Sequence, residues 1–231
     1  VLAGRMLWDA DRPDTGPQPT DGGAGDGGGG PAAVAPRRLV WWLGGLAFAL
    51  MLAEGGANDW AALHLRDTFQ ATASTAALAY GAFAVAMTVG RFGADRVAGR
   101  LGPAAIVRYG AALAALGLVV VSLSPWVPLA LIGWALFGLG LAGGVPQLFT
   151  AAGNLDVRSS GALMARVVGL GYVGLLAGPA IVGGLTHWMP LDVAFVVPIA
   201  LCALAATFSS ALTPTSALPA VAEAPHPAGR R

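Results

Sequence analysis

Glu54 stands inside the apolar run LGGLAFALMLAEGGANDW, fifteen residues beyond Leu39. A carboxylate at membrane depth is costly unless it is protonated, paired or turned toward a wet cavity. Ala47, Met51, Glu54 and Asn58 recur at spacings of four, three and four, so they share one helical face. Gly55 and Gly56 beside them would allow the helix to unwind locally. This face, continued to Asp59, is the candidate lining of a pathway, where Glu54 would bind a solute or exchange a proton. A plainer reading makes Glu54 an outer-end acid that reaches the headgroups together with Asp59 and Trp60.

Other polar and aromatic groups lie within apolar blocks: Tyr80, Trp134, Gln147 after Pro146, and Tyr172. Each could bond to or stack on a solute, or join one helix to another. His64 and His187 have no fixed spacing, so no metal site is expected. No nucleophile, base and orienting acid occur together, which argues against an enzyme. Two glycine triplets, Gly138/Gly140/Gly143 and Gly169/Gly171/Gly174, have the G-x-G-x-x-G spacing. A dinucleotide fingerprint must follow a strand in a βαβ unit, and both triplets lie in long apolar blocks instead. All 13 basic residues are arginine, so the lysine of a Walker-type phosphate loop is missing. Neither a cofactor nor a nucleic-acid partner is expected.

The elements that must position these residues follow from composition. The chain of 231 residues is 56% hydrophobic and 11% charged, against roughly a quarter charged in a soluble domain. Its apolar residues gather into six blocks, 39–63, 73–91, 104–124, 127–150, 162–186 and 191–212. About 20 residues of helix cross the hydrocarbon core, so the expected fold is an all-α polytopic membrane protein with a six-helix domain over 37–212. Residues 1–36, rich in glycine, proline and aspartate, read as a flexible cytoplasmic linker, and 213–231 as a disordered cytoplasmic tail. The lone Cys202 excludes an intrachain disulfide. A chain that opens on Val1 reads as a fragment.

Arginine-rich short loops stay in the cytoplasm. With the first helix running outward, Arg37, Arg38, Arg91, Arg96, Arg100, Arg108, Arg158, Arg166, Arg230 and Arg231 fall inside and Arg66 outside. Trp41 and Trp42 then sit at the inner boundary, with Trp60, Trp126 and Trp188 at the outer one. The expected location is the cell membrane, multi-pass, with both termini cytoplasmic.

On this topology GRFGADRVAGRLG, residues 90–102, is the cytoplasmic turn between the second and third helices. Orientation explains its arginines but not Asp95. An acid beside Arg96, with Gly93, Gly99 and Gly102 nearby, reads as a compact turn held by charged hydrogen bonds or capping a helix. The stretch resembles the signature loop of the major facilitator superfamily, although Gly99 follows Asp95 by four residues where the family's loop has three. The resemblance covers about 37–212 and implies the C-terminal six-helix half of a twelve-helix fold, of bacterial sugar-permease-like or efflux type. It assigns to Asp95, Arg96 and Arg100 the role of a latch at the cytoplasmic helix ends.

In the fifth helix, GYVGLLAGPAIVGG resembles a glycine-proline signature of the superfamily's antiporters. Gly174 and Gly178 stack on one face for close packing, and Pro179 can bend the helix. The function implied is secondary active transport of a small solute by alternating access, driven by an ion or solute gradient and open to proton coupling. The implied partners are lipid, the solute, and an N-terminal six-helix half or a second copy. The alternative is a six-helix assembly component without transport of its own.

Overall fold

A computed structural model describes residues 37–155 and 160–209. The expected linker and tail, with Arg158, Arg230 and Arg231, lie outside the described residues. The described chain folds into eight helices: α1 (Arg37–Phe69), α2 (Ala73–Leu101), α3 (Pro103–Leu123), α4 (Val127–Leu141), α5 (Gly144–Gly153), α6 (Ser160–Leu185), α7 (Leu191–Ala194) and α8 (Val196–Phe208). No strand occurs among the described residues. A short break at Ala142 and Gly143 divides α4 from α5, and Phe195 divides α7 from α8. Each pair still makes one apolar span, so among the described residues six spans are long enough to cross a bilayer, matching the six blocks of the sequence.

The punctuation is local chemistry. Thr72 caps α2 by accepting a hydrogen bond from the Thr75 backbone N–H at 3.3 Å. Gly102 takes φ +85°, open to glycine at little strain, and Pro103 starts α3 where its missing N–H is not needed. Gly102 alone separates α2 from α3. The turn expected over 90–102 is therefore corrected: Arg91 to Leu101 form the last three turns of α2. Gly93 and Gly99 each lower helix propensity by only about 1 kcal/mol, which does not break a helix already under way.

α1 is the central helix. Two thirds of its apolar window (67%) is buried, against 22% for α2 and 28% for α6, and it touches α2, α4, α5, α6, α7 and α8. Its closest neighbour is α6, where glycines bring the two backbones together. A Cβ added to Gly174 would strike Phe48 O, and one added to Gly178 would strike Leu52 O and lie 2.8 Å from Gly56 N. Gly55 faces the carbonyl of Leu175 in the same way. Pro179, inside α6, has no N–H to offer Leu175 O four residues back. The Gly55 Cα–H that a Cβ would replace therefore points at a carbonyl to which Pro179 cannot donate, a weak hydrogen-bond geometry. Gly55 and Gly56 thus serve close packing within a continuous α1, not the local unwinding expected of them.

Trp60 closes the same seam: its Nε1 donates to Pro179 O at 3.1 Å, and its ring covers Gly183. It is tied to α6 instead of standing as a free interface anchor. Trp134 is fully buried, edge-on to His64, Phe137 and Phe195. That place in the core corrects the expectation that it lines a pathway.

His64 shares this core, with no side-chain exposure. Among the described residues neither of its ring nitrogens, nor Trp134 Nε1, meets a hydrogen-bond partner. An unpaired buried polar group destabilises by about 1–3 kcal/mol. His64→Leu, close in volume, should raise the thermal midpoint in detergent by a few degrees, equivalent to about 1–2 kcal/mol. A lowered midpoint would show that the ring is bonded in the folded protein.

Candidate functional site

From Leu46 to Ala57 every residue of α1 is buried except Phe48 and Glu54. Glu54 is the only charged side chain in that stretch, and it lies about 25 Å along the helix from Arg37, near the middle of the span. Its Oε1 is 3.8 Å from Arg91 Nη2 on α2, with the side chains 20% and 55% exposed respectively. Arg91 Nη2 also donates toward Met87 Sδ, one turn earlier, at 3.3 Å. Because α2 continues to Leu101, Arg91 stands about 15 Å inside its end. It is therefore not a cytoplasmic-loop arginine as expected, but the counter-charge of Glu54.

A guanidinium at that depth needs water or a polar partner, since hydrocarbon would leave its N–H groups unsatisfied. Among the described residues Glu54 is the charged group that stands nearest to it, at 3.8 Å. The arrangement can exchange partners, because the contact between the two charges is long and neither side chain is fully buried.

The remaining candidates divide. Ala47 and Met51, placed on one face with Glu54 by the sequence, are buried against Gly171 of α6, so the expected stripe is open only at Glu54 and Asn58. Asn58 is exposed. Asp59 belongs to a separate cleft of about 310 Å³, shared with Arg66 and the start of α2. Tyr80 (44% exposed) and Tyr172 (54%) lie on the open faces of α2 and α6. Gln147, half-buried, is on α5 instead of a continuous fourth helix. Among the described residues none of these hydrogen-bonds to Glu54 or Arg91.

Asp95, Arg96 and Arg100 are exposed on the last turns of α2. The carboxylate–guanidinium bonds expected among them are not formed between these described side chains. Gly174, Gly178 and Pro179 sit together in the α1–α6 seam.

Arg91 is the residue whose place in the fold the sequence reading missed. The available signal was the lack of any proline between Ala73 and Leu101, which lets the helix run past Gly90 and Gly93. His64 carried no signal, because its burial depends on aromatic rings from α4 and the residue between α7 and α8.

The profile described as "Major Facilitator Superfamily" matches residues 34–231. An uncharacterized MFS-type transporter of Yersinia pestis is 38% identical over 75% of this chain and 45% of its own length. An uncharacterized transporter of Sinorhizobium fredii is 31% identical over 78% of this chain and 48% of its own. The membrane protein MosC of Rhizobium meliloti is 32% identical over 71% and 40%. The chain thus spans a little under half the length of these relatives.

Proposed function

Since the chain belongs to the major facilitator superfamily, we propose that it forms one six-helix half of a secondary transporter working by alternating access. The solute then binds near the midplane, between this half and a pseudo-symmetric partner, and rocking of the halves exposes it to each side in turn. The observation that carries this reading is the Glu54–Arg91 pair on the central helix and its neighbour. Charges at membrane depth are kept where a pathway uses them. The names of the Yersinia and Sinorhizobium relatives support transport over a purely structural role. Energy comes from an ion or solute gradient, with Glu54 as the coupling or binding carboxylate.

In this reading the helix ends carrying Asp95, Arg96 and Arg100 face the cytoplasm, where these side chains latch onto neighbouring helix ends in one conformation. Their exposure leaves them free to do so.

Reconstitution of the full-length protein in proteoliposomes, with solute uptake followed under an imposed proton gradient, tests both roles. Glu54→Gln should lose gradient-driven accumulation, and Asp95→Asn should slow transport without reversing orientation. Wild-type rate and pH dependence in Glu54→Gln would sink the coupling role. Unchanged transport in Asp95→Asn would sink the latch.

A further inference from the structure

We propose that the transported solute is an anion bearing a carboxylate or phosphate, that Arg91 receives it, and that Glu54 is the internal carboxylate it displaces. This rests on the transporter reading above and narrows its substrate class.

The two members of the pair are not equally available. Arg91 is 55% exposed and Glu54 only 20%, so an incoming group meets the guanidinium first. A cationic solute would have to pass that positive charge to reach a carboxylate already neutralised by it. An anion meets no such obstacle.

The bond to be displaced is also weak by its geometry. Nη2 and Oε1 stand 3.8 Å apart, beyond the range of about 2.7–3.2 Å for an N–H···O bond. Nη2 is shared with the sulfur of Met87, a poor acceptor. Among the described residues, Nη1 and Nε of Arg91 meet no acceptor. A guanidinium carries five donors in a planar fork that fits a carboxylate or phosphate with two parallel bonds. Glu54 occupies it with one oxygen at long range, which balances the charge but leaves most donors unused. A second carboxylate or a phosphate arriving from the open side supplies the bidentate partner that Glu54 does not. Glu54 thus neutralises Arg91 in the empty carrier and yields to a better-fitting anion.

The test uses the purified full-length protein and thermal unfolding with four probes: gluconate, inorganic phosphate, glucose, and the cation tetraphenylphosphonium. Gluconate or phosphate should stabilise the wild type, and which of them does so separates the carboxylate from the phosphate source. Arg91→Gln should weaken that binding roughly tenfold or more, with Arg91→Lys intermediate because it keeps the charge and loses the fork. Glu54→Gln, which removes the internal competitor and leaves Arg91 in place, should bind the anion at least as tightly as wild type. This second variant decides the matter even if Arg91→Gln does not fold.

No response to either anion, stabilisation by glucose or the cation alone, or weaker anion binding in Glu54→Gln overturns the proposal. Uptake of a neutral or cationic solute by the wild type overturns the substrate class and leaves the transporter reading standing. Tight anion binding that needs Arg91, without uptake of that anion, keeps the anion site and overturns its role in transport.

Discussion

Leucine at position 55 should prevent α1 and α6 from meeting, and the protein should fail to accumulate as a folded species in the membrane. Even Gly55→Ala drives a Cβ into the Leu175 carbonyl, an overpacking that costs about 1–3 kcal/mol. A backbone carbonyl cannot rotate aside as a side chain can, so the helices must separate. Separation would break the Gly174 and Gly178 contacts together with the Trp60–Pro179 bond. Gly45, on the same helix, has nothing within 4 Å of an added Cβ, so Gly45→Leu is the matched control. Thermal unfolding in detergent, with the yield of monodisperse protein, makes the comparison. Equal losses at 45 and 55 would show that the seam is not what the glycine protects.

The second large effect is expected at the charge pair, and it has a characteristic sign. Glu54→Leu strands Arg91 at membrane depth and should destabilise by about 1–3 kcal/mol, below the 3–5 of a fully buried pair because Arg91 is half open. Adding Arg91→Leu should return most of that loss, since well-packed apolar residues replace an ion pair at little net cost. Transport should be absent from both variants. A double mutant no more stable than Glu54→Leu would mean that the two charges are not coupled in the folded protein.

The six spans were legible because a membrane demands about 20 apolar residues for each crossing, a requirement on composition alone. Internal breaks were less so. The sequence reading ran 127–150 as one helix and ended the second at 91, whereas the chain interrupts the former at Ala142–Gly143 and extends the latter to Leu101. The second of these differences turns on glycine. In the opened turn at Gly102 it supplies a positive φ, and at Gly93 or Gly99 it merely lacks a side chain within a helix; its letter does not say which. Charge misled in the same stretch. Arg91 was grouped with Arg96 and Arg100 as a loop cation, yet about 8 Å of helix separates Arg91 from Arg96, and only Arg91 reaches an acid on α1.

The candidate site shows the same division. Glu54 was identifiable as costly from its apolar neighbours, and Gly174 and Gly178 as a packing face from their spacing. Trp134 and Gln147 could not be sorted, because a polar or aromatic residue in an apolar helix looks alike whether it faces a core, a seam or a cavity.

By itself, the sequence determined the all-helical membrane class, the number of spans, the packing glycines of α6 and the acid that needed a partner. Each of these is a property of one segment and its solvent. Only the tertiary structure decided that the partner is Arg91, that Gly55 packs on the Leu175 carbonyl, and that His64 and Trp134 belong to the core. Those facts depend on which faces of distant helices meet, and a backbone-to-backbone approach or a 3.8 Å ion pair across 37 residues leaves no periodic trace in the chain.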